Sequence, residues 1–532
     1  MDRSRSRRRT DGRQSRTSLQ LAQVSCCAQA SPQRDVGQVV TIDVLPDDVL
    51  LSIFVFCVVG DPIYDSDDDI GHFYSASSFQ GRSRNQKWIL LVHVCRRWRG
   101  IIFGSPRHLN LQLLCSSETS ASETLDVWPA LPLQIRGDVT ETSVDNIITQ
   151  LKLSDRFTRI ELVLNSNTTS QIEKLWTAMQ VPFPELANLF LSSNDSSYVP
   201  VLPDSFLGES APRLQHITLS SVPFPGLPKL LLSTTHLVTL WLLHIPHSGY
   251  ISPEAMATCL SMLTNLETLE LRFESPQSFP DQENRHSLPP TLFVLPALTD
   301  FEFKGVNEYF EKLVARIDAP RLRRFSTAFF NDIDFDTPEL IRFLSRSSTF
   351  KVPNTVHVCF GSRTASVNLR RQPGSYIQHF GVIILCRESG WQLSSLAQIC
   401  TTSMPLFSTT ENLFIFEPEP DYQQSPIDWK EGIENVEWLE LLLPFTAVNN
   451  LYLSKRFAPR IAPALQEMTE GEVTEVLSTL QNLFLEGYQP SESIEEGIVR
   501  FISARQLINR PVSISAWERA REPPVMRFEL ER

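Results

Sequence analysis

At 532 residues the chain exceeds what one compact core accommodates, so it holds roughly two to four domains or a small domain joined to an elongated array. A net charge of -13 excludes wholesale wrapping of nucleic acid, which needs a basic face, and the 42% apolar and 20% charged shares are those of an ordinary soluble protein. Its 36 prolines against 20 glycines favour an array of rigid, short-connected segments.

Residues 1–40 form a polar tail with Arg3, Arg5, Arg7, Arg8, Arg9, Arg13 and Arg16 among serines and threonines, which cannot build a core. Such a start reads first as a solvated tail. A nuclear localisation signal or a mitochondrial transit peptide are the alternatives, the last disfavoured because the first turns lack an apolar face. A helix follows, with Leu45, Val49, Leu50, Ile53 and Phe54 at helical spacing and Pro46 in the first turn, where proline is tolerated. Asp65, Asp67, Asp68 and Asp69 with Gly/Ser punctuation then predict a solvated insertion over 60–86. The spacing predicts a second helix over 87–103, with Trp88, Leu91, Val94 or Cys95, Trp98 and Ile101 or Ile102 along one side. Gly104-Ser105-Pro106 stops it. Helices this short are marginal alone and need a partner.

Beyond residue 150 a Leu-x-x-Leu-x-Leu pattern, with other apolar residues allowed, recurs every 23 to 32 residues or so. The copies are Phe157/Ile160/Leu162, Leu186/Leu189/Leu191, Leu214/Ile217/Leu219, Leu237/Leu240/Leu242, Leu266/Leu269/Leu271 and Leu298/Phe301/Phe303, with a weaker copy at Leu322/Phe325. After a less regular stretch at 345–405 come Leu413/Ile415, Val448/Leu451/Leu453 and Leu480/Leu483/Leu485. A finer echo, Asn-Leu-aromatic-aliphatic, begins at Asn188, Asn412, Asn450 and Asn482. Helix-like returns such as 253–263 and 337–344 separate the strands. Stacking these units gives an α/β fold, a small helical module followed by an irregular leucine-rich-repeat solenoid of parallel strands with helices on the convex side. Ser493 and Glu496 predict a capping box for a helix over 494–508, and Val512/Ile514 a terminal strand.

Strand alternation turns Leu269 and Leu271 to the core and Thr268, Glu270 and Arg272 to the concave side. The same register exposes Phe190, Thr239, Trp241, Leu243, Phe414, Tyr452 and Phe484. Large apolar groups on a solvent face suit a protein partner, so this face is the candidate target-binding surface, centred on Phe190 and Trp241. The alternative is that loops or the N-terminal module cover these rings.

The segment Leu45-Pro46-x-x-Val49-Leu50-x-x-Ile53-Phe54, joined to Trp88-x-x-Leu91-x-x-Val94-Cys95-Arg96-Arg97-Trp98 and the ending Ile102, Ser105-Pro106 and Leu109, resembles an F-box. The departures are the acidic insertion and the lack of a charged residue directly after Leu50. Phe501-Ile502-x-Ala504-Arg505-Gln506 with Arg510-Pro511-Val512 and Trp517-Glu518 looks like the ending of a large fungal group of such proteins. The resemblance implies an F-box-like module over 41–113 and a leucine-rich-repeat-like domain over 114–532, with its cap at 491–532. It also implies a role as substrate adaptor of an SCF-type cullin E3 ubiquitin ligase. Docking on the Skp adaptor, and through it a cullin, would then fall to Leu45, Pro46, Val49, Leu50, Ile53 and Trp98, with the repeats holding a target protein.

The nine cysteines are odd in number, form no CxxC pair and sit mostly in apolar runs, so they read as free thiols of a reducing compartment. No stretch reaches the roughly 20 apolar residues of a membrane helix, and a cytoplasmic or nuclear location follows. Phosphate-loop, nucleophile-elbow and HExxH patterns are missing. His244 and His247 flank a Pro246 turn without a nearby Cys or acid, and His93 near Cys95 lacks a third orienting group. The sequence therefore predicts no enzyme, cofactor, metal, nucleic-acid or membrane partner. Besides the ligase adaptor, the competing readings are a leucine-rich-repeat scaffold uncoupled from ubiquitination and an enzyme hidden in the irregular stretch 345–405, which lacks any nucleophile, metal or phosphate signature.

Overall fold

The computed structural model describes residues 42–59, 87–106, 108–117, 128–165, 169–194, 199–276, 291–330, 337–347, 354–370, 380–386, 389–402, 407–417, 435–470, 476–489 and 495–518. The expected basic tail, the acidic insertion and Ser493 of the expected capping box lie outside them. The chain falls into two compact units, 1–53 and 54–532. The described part of the first is a 3-10 turn at Ile42–Val44 and the start of helix α1, Asp47–Val59. Asp47 and Asp48 occupy the first turn of α1, where carboxylates meet the positive end of the helix dipole.

The second unit begins within α1 and continues with α2, Lys87–Val92, and α3, Arg96–Gly104. The single helix expected over 87–103 is thus two. The chain turns at His93 and Val94, and Cys95, in extended conformation, caps α3 by accepting the Trp98 N–H on its sulfur at 3.5 Å. Arg99 Nε donates to the Val92 carbonyl at 3.0 Å, satisfying an acceptor that the break frees.

The repeats build β1 (Leu113–Ser116), β2 (Leu133–Val139), β3 (Phe157–Leu164), β4 (Asn188–Ser193), β5 (His216–Ser220), β6 (Thr239–Ile245) and β7 (Thr268–Phe273). They continue as β8 (Phe293–Val294), β9 (Asp300–Gly305), β10 (Ile317–Asp318), β11 (Arg324–Phe330), β12 (Thr355–Phe360), β13 (Thr364–Arg370) and β14 (Phe380–Leu385). The last are β15 (Asn412–Phe416), β16 (Asn450–Leu453), β17 (Asn482–Glu486) and β18 (Ser513–Trp517). All but the short β8–β10 pair join one 16-stranded sheet, ordered β1 to β7, β9, β11, β14, β13, β12 and then β15 to β18.

Register explains the leucine pattern. Ile160, Leu189, Ile217, Leu240, Leu269, Phe301 and Phe325 lie side by side across neighbouring strands, as do Leu162, Leu191, Leu219, Leu242, Leu271 and Phe303, and all are buried. The leading residue of each copy, such as Leu186, Leu214, Leu237 and Leu266, is buried as well. Each unit buries its apolar side only against its neighbours, which is what makes the array leucine-rich-repeat-like. Phe301, Phe303, Phe310, Phe325 and Phe329 fill the core where β9 and β11 meet the return helix Asn307–Val314.

The irregular stretch has a defined cause. After β11 the chain skips two places to lay down β12, then returns through antiparallel β13 and β14, so that β14 lies parallel beside β11 while β15 lies parallel beside β12. Buried Gln392 ties this insert together, donating to Gly361 O at 3.0 Å and Cys386 O at 2.7 Å. The terminal helix is Glu496–Leu507, close to expectation, and β18 pairs parallel with β17. Gly497 lets this helix touch the preceding one: a Cβ there would lie 2.5 Å from Ala462 O.

Candidate functional site

The residues singled out in the sequence fall on the N-terminal helices and on the repeat sheet. On the N-terminal helices, Leu50 is fully buried, Leu45, Ile53 and Trp98 are half-buried, and Pro46 and Val49 are exposed. The Trp98 ring lies 4.7 Å from that of Phe54, which is buried, so Trp98 is partly spent on internal packing. Trp88, also buried, meets Trp128 edge-on at 5.2 Å. The side chains left in solvent are ones that sequence reading did not select: Phe56 is 83% exposed, Leu90 73% and Val94 58%. Their signal was available in the apolar run of α1 and at the α2–α3 corner, but which apolar residues face water depends on a break that periodicity did not reveal.

The open face of the repeat sheet lies opposite the buried leucine rows. Here Phe190, Thr239 and Trp241 are half-buried as the alternation predicts. Leu243 keeps its register beside Ser220 but is buried at 1%, next to the point where the β6–β7 register shifts between Leu242 and Ile245 and His244 takes a positive φ of 50°. Glu270 keeps its side of the strand but is only 4% exposed. Phe190 and Trp241 share one register row with Thr218 between them, and Glu270 and Glu302 continue that row.

Phe414, Tyr452 and Phe484 occupy the same row six to eight strand positions beyond Glu270, on the order of 30 Å away at ~4.8 Å per strand. The sheet therefore separates the expected site into two groups. In the second group the rings lie against one another, Phe414 on Tyr452 at 4.0 Å and Tyr452 on Phe484 at 4.4 Å, nearly parallel. His357 extends the stack at 4.6 Å from Phe414, and Trp517 meets Phe414 and Tyr452 edge-on at 5.6 and 5.7 Å. Beside the rings runs an amide ladder. Asn412 Nδ2 donates to Asn354 Oδ1, Asn450 Nδ2 to Asn412 Oδ1, Asn482 Nδ2 to Asn450 Oδ1 and Ser513 Oγ to Asn482 Oδ1, at 3.0, 2.8, 2.8 and 2.6 Å. In the copies that begin at Asn412, Asn450 and Asn482, the Asn-Leu-aromatic-aliphatic echo is thus a ladder, a core row and a ring stack read along the chain.

The first group holds the strongest electrostatics. Arg272 lies between two carboxylates, its Nε 2.5 Å from Glu270 Oε1 and its Nη2 2.7 Å from Glu302 Oε1. Burial, and then the neighbouring Glu302 charge, push the Glu270 carboxyl up to about 8 against the lowering pull of Arg272. Burial raises Glu302 as well. A carboxyl with a folded pKa above its unfolded value adds stability that is complete below the unfolded pKa and is lost as pH rises through the folded one. Stability should therefore decline between about 4.5 and about 8 from this site. Glu270→Gln should flatten that part of a melting-temperature profile; an unchanged profile would mean that the carboxyl ionises without cost.

Among the described residues no group of three or more His, Cys, Asp or Glu side chains could hold a metal ion, and no helix is long and apolar enough to cross a membrane. His244 Nδ1 lies 3.4 Å from Ser220 Oγ. A shallow depression of about 550 Å³ near the start of β4 is lined by Asn188, Gln215, Arg213 and Glu185 among others, with the last two ion-paired to each other.

No family model matches the sequence, and no curated protein matches it. Among solved structures the chain is similar to the leucine-rich repeat-containing protein LegL7 from Legionella pneumophila, at 12% identity and a TM-score of 0.24, over 76% of this chain and 98% of that one. The leucine-rich-repeat-like character rests on the strand order and register of this chain itself.

Proposed function

We propose that the protein is a substrate receptor of an SCF-type cullin E3 ubiquitin ligase, its N-terminal helices docking on a Skp-type adaptor and its repeat face holding a target protein. The observation that carries this reading is that the F-box-like pattern falls on helices of 13, 6 and 9 residues that leave Phe56, Leu90 and Val94 in solvent. Helices this short gain little from propensity, and exposed apolar groups of this size suit a helical partner's groove. Of the positions implied by the resemblance, Val49 and Pro46 are exposed and Leu50 is buried, so the first two are the ones this reading assigns to the adaptor. The second reading, a leucine-rich-repeat scaffold uncoupled from ubiquitination, draws on the burial of Leu50, Phe54 and Trp88, which suits a cap equally well.

Capture on a purified Skp–cullin core distinguishes the two. The full chain should be retained, and Val49→Asp with Leu90→Asp should weaken retention at least tenfold, ~1.4 kcal/mol, without changing the circular dichroism spectrum. Folded wild-type protein that is not retained would leave the scaffold reading.

A further inference from the structure

In the row Trp241–Glu270–Glu302 one guanidinium is shared by two carboxyls. Glu270 and Glu302 stand at the same register on β7 and β9, and the Arg272 guanidinium serves both, with Nε also donating to Glu302 Oε1 at 3.0 Å. Glu302 is further drawn down by Arg324, which also pairs with Asp300, and by Lys304, whose ammonium lies 5.8 Å from the centre of the Phe330 ring, whereas the cation that lowers Glu270 is the shared Arg272. Trp241 stands beside Glu270 on β6, and its indole N–H is buried without a hydrogen-bond partner among the described residues. A buried donor left unmade costs about 1–3 kcal/mol, and a carbonyl oxygen would answer it.

We infer that this strip is the anchor point for a lysine or arginine side chain carried on an extended segment of a partner protein. One residue of that kind supplies both a second cation for Glu270 and a main-chain carbonyl for the indole N–H. Its slender stem suits a strip in which Glu270 is 4% exposed and the Arg272 side chain 20%. The Trp241 ring adds a face for the cation, and the chain's net charge of -13 favours encounter with a basic partner.

The inference rests on the reading that the open face holds a target, and it is independent of adaptor docking, which the Val49 and Leu90 substitutions probe separately. Binding requires an ionised Glu270, so the resting proton must leave. The charged groups on the strands beside it are Arg272 on its own strand, Asp300, Glu302 and Lys304 on β9 and Arg324 on β11. The β6 side presents uncharged Thr239 and Trp241, with His244 beyond the register shift.

The test is selection of random 12-residue peptides displayed on phage against the full chain, with counter-selection on the Glu270→Gln, Glu302→Gln double variant. Should that variant fail to give a native circular dichroism spectrum, Trp241→Phe, which keeps a ring and removes the N–H, takes its place. The expected result is a set of variant-sensitive peptides sharing a Lys or Arg. Synthetic copies with citrulline for arginine, or norleucine for lysine, should lose at least tenfold in affinity, and binding of the parent peptides should strengthen as pH rises toward about 8, by up to about tenfold per pH unit. Absence of variant-sensitive peptides, variant-sensitive peptides without a basic residue, or affinity that falls as pH rises would each overturn the inference.

Discussion

Phe310→Ala should remove ~3–5 kcal/mol from the repeat unit, the largest loss expected from any single side chain discussed for this protein. The Phe310 ring sits on the return helix between β9 and β11 and meets four others: Phe303 at 5.0 Å, Phe329 at 5.6 Å, Phe325 at 5.9 Å and Phe301 at 6.2 Å. All five are essentially removed from water. Rings in several orientations around one centre cannot close the gap by a common shift, so the cavity term persists alongside the lost transfer energy. Because each repeat leans on its neighbours, the loss should appear first in β9 and β11. Hydrogen exchange resolved by segment measures it directly. Protection in β9 and β11 that is unchanged while the rest of the sheet loosens would show that the five rings do not form one packing unit.

Asn450→Leu should cost ~1–3 kcal/mol and should loosen three strands at once. The Asn450 amide is the middle rung of its ladder, donating to Asn412 and accepting from Asn482, so its removal leaves an acceptor on one side and a donor on the other without their partner. Tyr452→Leu, two residues along the same strand, breaks the ring contacts with Phe414, Phe484 and Trp517 and spares the ladder; at ~0.5–1.5 kcal/mol for each aromatic pair its cost should be similar or somewhat larger. Urea unfolding of both single variants and the double variant separates the two devices. Additive losses would mean that ladder and stack act independently, whereas a double variant no worse than either single one would mean that each only holds the other in place.

Much of the repeat architecture was legible because its constraint is periodic. A leucine at each core row must recur wherever a strand recurs, and Asn188, Asn412, Asn450 and Asn482 mark one register position four times. What escaped depends on local geometry that composition does not encode. Cys95 caps α3 through sulfur, outside the oxygen-bearing residues that announce a helix start, so the break between α2 and α3 was hidden. Leu243 is buried beside a slip of the β6–β7 register, a local irregularity that alternation along the strand does not announce. The strands β12 and β14 are buried along their whole length, so they show no alternation from which their direction could be read. On the open face, alternation gave the side on which Glu270 lies but not its depth, which Arg272 and the adjoining strand determine.

The reversed triplet of strands sets the order in which the sheet can assemble. Everywhere else along the main sheet a strand's new neighbour is the one just made, apart from the brief detours through β8 and β10, so pairing can spread with short loop closures. At β11 this stops being true: β12 has no place beside it, and the gap is filled only when β14, 50 residues or more downstream, has been produced and turned back. Growth from the amino end therefore halts at β11, and β15 to β18 have nothing to extend until β12 is held. The two arms of the array are separately nucleated segments, and the meander between them is the splice whose closure makes them one cooperative sheet.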